Sequence, residues 1–190
     1  MSIKADSEPI FIYNHRLGDC SRFNNDALVW IPKNASSTLR FLFTDKKHNF
    51  LNFDVETYWV FLRDPIERWK SGVIEYIYRN SEKHEWVLDN IDKIVFDEHT
   101  TPQTSFLKFI GRTRYVDIHD QKWVTNLLSE TTRRSNNKLN NSVVMINTTS
   151  HNVDKNDIKK SIDDVYSTQL LNRLKEYYSA DIKLLEQIRT

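Results

Sequence analysis

The sequence predicts an α/β protein in which a central parallel β-sheet is flanked by helices in three layers. Two successive strand, loop and helix units carry this prediction: residues 28–31 with 36–43, and residues 58–62 with 65–80. The apolar runs are typical of buried strands, and the segments after them have apolar residues at helical spacing. Successive units of this kind place their strands side by side and parallel, with the helices on the faces of the sheet.

The second unit has the clearer helix signal. Its strand is followed by the polar pair Arg63-Asp64 and then by Pro65, a residue favoured at the first position of a helix. The helix is predicted to run to about Asn80. The apolar stripe expected to face the core consists of Ile66, Trp69, Val73 and Ile77. The charged residues expected mostly on the other side are Glu67, Arg68, Lys70 and Glu75.

Later elements follow from the same patterns. Helices are expected at residues 81–92, 102–110 and 122–128, a short strand at 115–118, an exposed polar loop at 131–141 and amphipathic helical structure at 158–188. No third unit repeats the first two. A chain of 190 residues has the length of one domain, so we expect a single domain over residues 1–190.

Composition excludes several classes of function. The formal net charge of +1 provides no overall field for nucleic acid or an anionic membrane, so neither is an expected partner. No apolar run reaches the roughly 18 residues of a membrane span, and no signal-peptide pattern is present, so a soluble, cytoplasmic protein is expected. Cys20 is the sole cysteine, and no convincing group of metal ligands is evident, so no metal is expected.

The loop of the first unit has the features of a phosphate-binding site. A helix N-terminus offers free main-chain N–H groups and the positive end of the helix dipole. Lys33 adds a positive charge, and Ser36, Ser37 and Thr38 add hydroxyl groups where the helix is expected to begin. The glycines of the ATP-binding pattern G-x-x-x-x-G-K-[ST] are missing, which disfavours an ATP-binding loop. The alternative is a capped helix after a surface loop with an exposed lysine.

A second motif makes the chain resemble a known superfamily. Residues 32–38, Pro-Lys-Asn-Ala-Ser-Ser-Thr, are similar to the P-K-x-x-[ST]-[ST]-[ST] loop of sulfotransferases, especially those that act on carbohydrates. Residues 63–71, Arg-Asp-Pro-Ile-Glu-Arg-Trp-Lys-Ser, are similar to the R-[DE]-P-x-E-R-x-x-S element of the same family. The resemblance implies a P-loop NTPase-like sulfotransferase fold, with 3'-phosphoadenosine-5'-phosphosulfate as the donor.

The resemblance also implies which residues bind this donor. Arg63 and Ser71 correspond to the residues that hold its 3'-phosphate. Considered alone, Arg63 is also explained as an ion-pair partner of Asp64 or Glu67, and Arg68 is expected to be structural. The residues that correspond to the 5'-phosphosulfate loop are Lys33, Asn34, Ala35, Ser36, Ser37 and Thr38.

Two further segments are similar to the family, although less specifically. His99-Thr-Thr-Pro-Gln103 resembles an H-x-x-P-Q segment near the acceptor site, which implies that His99 and Gln103 contact the acceptor. Considered alone, they are a loop histidine and an exposed glutamine. Tyr178-Ser-Ala-Asp181 resembles a Y-x-x-D element of the last helical region. The four matches follow the family's order along the chain.

Sulfuryl transfer requires alignment and charge neutralisation more than covalent help. Lys33 is the candidate for stabilising the leaving phosphate, because an ammonium group on a flexible stem can follow charge as it moves. The acceptor hydroxyl also requires a general base. The alternatives are His48, Glu56 and His99, and the sequence leaves the choice open. His48 is also explained as a residue at a helix end.

The predicted function is therefore transfer of a sulfuryl group from 3'-phosphoadenosine-5'-phosphosulfate to a hydroxyl acceptor. The resemblance implies a carbohydrate acceptor, and the hydroxyl groups of tyrosine, lipids and small metabolites stay open. A nucleotide or small-molecule kinase is one alternative, although it requires a carboxylate for magnesium and usually a glycine-rich loop. A module that binds the nucleotide without catalysis is another.

Overall fold

The protein was analysed as a computed structural model that describes residues 19–23, 26–34, 48–49, 56–107, 113–120 and 154–190. These residues contain a five-stranded sheet with the spatial order β3-β1-β2-β4-β5. The strands are β1 (Asp19–Phe23), β2 (Asp26–Val29), β3 (His48–Asn49), β4 (Thr57–Leu62) and β5 (Thr113–Asp117).

Three neighbouring strands of the sheet are parallel, as the two strand, loop and helix units predict. Leu28 of β2 lies opposite Trp59 of β4, which in turn lies opposite Arg114 of β5. The other two strands were not predicted. Only two residues separate β1 from β2, so these strands pair as an antiparallel hairpin, and β3 pairs antiparallel with β1 on its outer side.

Both faces of the parallel strands are buried. Alternate residues point to opposite faces, and each face therefore has its own apolar cluster. One cluster is formed by Leu28, Trp30, Phe61 and Val116. The other is formed by Val29, Ile31, Val60 and Leu62, and Phe106 and Leu185 pack against it. This two-sided burial is typical of parallel sheets with helices on both faces and confirms the α/β class.

The helices are α1 (Pro65–Arg79), α2 (His84–Asp89), α3 (Lys155–Val165), α4 (Thr168–Tyr177) and α5 (Ser179–Arg189), with 3-10 turns at Ser81–Lys83, Ile91–Lys93 and Gln103–Leu107. The predicted start of α1 is confirmed. Asp64 caps it by accepting hydrogen bonds from the N–H groups of Ile66 and Glu67, each at 3.0 Å, and Pro65 occupies its first turn.

Several predicted elements differ in length. The helix expected at 81–92 is two 3-10 turns with the short α2 between them, and the one expected at 102–110 is a 3-10 turn, Gln103–Leu107. The strands expected at 28–31 and 115–118 each begin two residues earlier, and the region 158–188 is divided among three helices. The helices predicted at 36–43 and 122–128 and the loop at 131–141 lie outside the described residues.

Helix α1 packs into a large apolar cluster with α2, α3 and α4. Trp69, Val73 and Ile77 are fully buried in it, as the stripe predicts, and each such side chain contributes about 1.5–3 kcal/mol. Arg68 and Glu75 are also buried, so the prediction that these charged residues lie on the side of the helix away from the core was wrong. Within the described segments, no helix has both the length and the apolar character needed to cross a bilayer.

Candidate functional site

A tight turn after β2 presents Lys33. The Asn34 N–H donates to the carbonyl of Ile31 at 3.1 Å, Pro32 is the second residue of the turn, and Lys33 has a φ of 67°. This pattern is typical of a type II turn, in which the third residue is usually glycine. A side chain at that position costs on the order of 1 kcal/mol, and such strain is common at functional sites.

The side-chain amide of Gln103 joins this turn to the end of β4. Its Oε1 accepts from the Arg63 N–H at 3.0 Å, and its Nε2 donates to the Arg63 carbonyl at 2.8 Å. The same Oε1 accepts a hydrogen bond from Asn34 Nδ2, which also donates to the Phe61 carbonyl at 2.7 Å. Gln103 and Asn34 are each 1% exposed, so these bonds are made away from water.

Arg68 holds three main-chain segments together. Its guanidinium donates to the carbonyls of Pro32 at 2.9 Å, Thr101 at 2.5 Å and Glu98 at 3.1 Å. The side chain is fully buried, and burial lowers the pKa of Arg68 to about 10, so the group is still charged at neutral pH. Arg68 is therefore structural, as predicted, and its partners are main-chain carbonyl groups.

The segment 99–104 is also held from the C-terminal helices. The Asp181 carboxylate accepts from the N–H groups of Gln103 at 2.6 Å and Thr104 at 2.9 Å. The Tyr178 hydroxyl donates to the Thr100 carbonyl. The Y-x-x-D pair thus caps and anchors the segment that carries His99 and Gln103.

His99 is paired with Asp97. Its Nδ1 lies 2.7 Å from one carboxylate oxygen of Asp97, and its N–H donates to the other at 2.8 Å. In the neutral imidazole, a carboxylate partner at Nδ1 favours the tautomer with the proton on Nδ1, in which Nε2 is an acceptor. The His99 main chain packs on α1, because a Cβ atom at Gly72 would lie 2.4 Å from the His99 carbonyl oxygen.

The ammonium group of Lys33 contacts the same helix one turn farther along. Lys33 Nζ lies 3.4 Å from Glu75 Oε2, while Lys155 Nζ lies 3.3 Å from that oxygen and Arg79 Nε lies 2.7 Å from Oε1. Burial lowers the pKa of Lys33, and Glu75 opposes this effect. Burial raises the pKa of Glu75, but the attraction of the three cations is the larger effect and lowers this pKa to about 2.

Two buried polar atoms of the site have no hydrogen-bond partner among the described residues: Asn34 Oδ1 and Arg63 Nε. Arg63 Nη1 is 3.4 Å from the Lys33 carbonyl, a long contact. An unpaired buried guanidinium N–H is costly unless a ligand pairs with it. By contrast, all the N–H groups of Asn34 are used within the chain, so a contact from them to the donor would replace one of these bonds.

The structure does not bring every predicted residue to this site. Glu56 precedes β4, whereas Lys33 and Arg63 follow the C-terminal ends of their strands, so about 20 Å of strand separates Glu56 from Arg63. The main chain of His48 lies in β3, two strands from β2, and not at a helix end; its side chain lies outside the description, as do Ala35, Ser36, Ser37 and Thr38. Ser71 is half-buried in α1, next to Gly72.

Sequence reasoning did not identify the pairing of Asp97 with His99 or the contact of Lys155 with Glu75. Asp97 precedes His99 by two residues, which is the one local signal that could have identified the pair. Among the described residues, Asp97, Glu98 and His99 also form a group whose carboxylate and imidazole atoms lie within 4.8 Å of one another and could hold a cation.

The arrangement combines three cations around the single carboxylate of Glu75, an unpaired arginine N–H and an oriented imidazole at the C-terminal ends of parallel strands, where α/β proteins bind ligands. It can bind an anionic ligand and accept a proton. No protein-family model, no curated protein and no solved structure matches this chain.

Proposed function

We propose that the protein is a sulfotransferase that transfers a sulfuryl group from 3'-phosphoadenosine-5'-phosphosulfate to a hydroxyl acceptor, on a three-layer, P-loop-like version of the α/β fold. One observation carries the proposal. The four segments that resemble sulfotransferase motifs, which are far apart in sequence, meet in one hydrogen-bonded network centred on Gln103. A chance resemblance of isolated motifs predicts no such meeting.

The donor side of the site is formed by Lys33, Arg63 and Ser71. In this proposal Arg63 and Ser71 hold the 3'-phosphate, and the unpaired Arg63 Nε supports that role. Lys33 holds the sulfate-bearing phosphate, which becomes the leaving group when the sulfuryl group is transferred. Because Lys33 is largely buried, its charge acts in a medium of lower dielectric constant than water and is correspondingly more effective.

Of Glu56 and His99, the two candidate bases whose side chains the structure describes, the geometry favours His99. Asp97 fixes the proton on Nδ1, which leaves Nε2 to accept the proton of the acceptor hydroxyl. His99 also lies near Lys33, because the Arg68 guanidinium contacts both Pro32 and Glu98, the residues that precede them. Glu56 lies at the N-terminal end of β4, the end of the strand opposite to Arg63.

In the proposed reaction, the acceptor oxygen forms a bond to sulfur while the bond from sulfur to the bridging phosphate oxygen breaks. The proton of the acceptor moves to Nε2 of His99. The electron pair of the broken bond remains on the leaving phosphate, where Lys33 neutralises it. The resemblance favours a carbohydrate as the acceptor, and a panel of carbohydrate, phenol and lipid acceptors tests this part separately.

The test of catalysis is transfer of radiolabelled sulfate from the donor to that acceptor panel. Lys33→Ala is expected to abolish transfer, and His99→Ala to lower kcat by about 10²- to 10⁴-fold. His119→Ala, an exposed histidine, is the matched control and should retain full activity. Full activity of folded Lys33→Ala would exclude the proposed mechanism.

The test of binding is calorimetric titration with 3'-phosphoadenosine-5'-phosphate and, in parallel, with ATP and magnesium. Arg63→Gln should weaken binding of the first ligand by about 1.5–3 kcal/mol, the value of a lost charge-assisted hydrogen bond. Arg173→Gln, on the exposed surface of α4, is the control. Tight binding of ATP with magnesium and none of the 3'-phosphorylated nucleotide would favour a kinase instead.

A further inference from the structure

We propose that Glu75 is a positioning residue whose carboxylate holds the ammonium group of Lys33 in the site, and that Lys155 competes with Lys33 for the same carboxylate oxygen. The inference rests on the proposed function, because it assigns Glu75 a part in the reaction of Lys33. Nothing in the sequence marks Glu75, which an amphipathic helix pattern places on the solvent side.

The carboxylate is held by its own helix. Arg79, four residues farther along α1, donates from Nε to Oε1 of Glu75 at 2.7 Å. This leaves Oε2 for the two ammonium groups, which come from the turn after β2 and from the start of α3. Glu75 therefore fixes the end of a flexible lysine side chain whose main chain is already fixed by the strained turn.

Burial makes the contact important. The side chains of Lys33 and Glu75 are 19% and 12% exposed. A buried ammonium group without a counter-charge loses its proton or turns toward water, and either change removes the positive charge from the site. Among the described residues, Glu75 supplies this counter-charge to Lys33.

Glu75 does not neutralise its surroundings. Three cations, Lys33, Arg79 and Lys155, share one carboxylate, which leaves a surplus of two positive charges for an anionic ligand. The guanidinium of Arg63 also faces this region through its contact with the Lys33 carbonyl. With three cations beside it, Glu75 is too weak a base to take the proton of the acceptor, so its role is electrostatic.

The experiment compares Glu75→Gln, which keeps the shape of the side chain, with Lys155→Gln, which removes the competing ammonium group; the two variants change the charge in opposite directions. The first readout is competitive labelling of Lys33 by acetic anhydride as a function of pH, quantified by mass spectrometry, which requires no activity. In Glu75→Gln, the ammonium group of Lys33 is no longer stabilised by a carboxylate, so the labelling curve should move to lower pH. Loss of the neighbouring ammonium should move it to higher pH.

The second readout is the pH profile of sulfate transfer. Because the charged form of Lys33 is needed, the alkaline limb of kcat/KM should follow the labelling curve, to lower pH in Glu75→Gln and to higher pH in Lys155→Gln. At pH 8, Glu75→Gln should lower kcat by about tenfold, less than loss of a group that touches the transition state. Glu75→Asp should restore part of this loss, and the exposed Glu186→Gln should change nothing.

The outcomes separate the two proposals. An active Glu75→Gln protein with an unchanged labelling curve and alkaline limb overturns the positioning role alone. Absence of transfer by the unmodified protein with every acceptor overturns the proposed function, and the role of Glu75 in the reaction with it. If Glu75→Gln fails to fold, the labelling curve of Lys33 in Lys155→Gln is the deciding measurement. An unmoved curve overturns the competition for Oε2.

Discussion

The side-chain amide of Gln103 pairs with the main chain of Arg63 in both directions, accepting from its N–H at 3.0 Å and donating to its carbonyl at 2.8 Å. At the end of β4, the amide thus makes the pair of hydrogen bonds that the main chain of a neighbouring strand would make. Since the main chain of Gln103 is itself bound by Asp181 at 2.6 Å, the position of Arg63 is set from the C-terminal helices. Gln103 thus acts on the candidate site through Arg63 and Asn34.

Gln103→Ala should destabilise the fold. It leaves the buried N–H groups of Arg63 and Asn34 without an acceptor, so the free energy of unfolding, measured with urea, should fall by about 3 kcal/mol. Thr104→Ala is the control, because its bond to Asp181 comes from the main chain and is retained. Equal losses in both variants would contradict this account.

Arg68→Lys should be nearly as damaging as loss of the side chain. A lysine ammonium lacks the planar fork that reaches the carbonyls of Pro32, Glu98 and Thr101 together. We expect a loss of about 3–5 kcal/mol, measured by chemical denaturation. The exposed Arg173→Lys should cost less than about 0.5 kcal/mol. A similarly small loss in Arg68→Lys would show that the charge alone suffices.

Gly72→Ala tests the contact between α1 and the loop of His99. In an ordinary helix this change stabilises by about 1 kcal/mol. Here the new Cβ would lie 2.4 Å from the main-chain oxygen of His99, so the loop must move. We expect a lower melting temperature and a shifted imidazole resonance of His99 in NMR spectra. A gain in melting temperature would mean that the packing is looser than described.

Glu75 should make stability depend on acid pH. Its pKa is about 2 in the folded protein against 4.5 for the ordinary side chain, so its contribution is fully present above pH 4.5 and is lost as pH falls toward 2. The free energy of unfolding should therefore fall less between pH 5 and pH 3 in Glu75→Gln than in the unmodified protein. The control Glu186→Gln should keep the original pH dependence. If Glu75→Gln also kept the original pH dependence, the ion pairs of Glu75 would not stabilise the fold.

Local patterns predicted the parts of the fold that depend on neighbouring residues. The strand run at 58–62, Pro65 in the first turn of α1 and the stripe through Trp69, Val73 and Ile77 are confirmed. The β1–β2 hairpin was not predicted, because strands of five and four residues carry little periodicity.

The sequence by itself determined the α/β class and the helix that follows Arg63, since apolar periodicity is a local property. Only the tertiary structure decided what the charged and amide side chains do. Arg68, Glu75 and Gln103 look like surface residues on their own segments. Apart from Arg79, which is close to Glu75 in sequence, the partners named above are about 30 to 80 residues away. The free energy of a buried polar group depends on which distant groups meet it, and helical spacing contains no information about that.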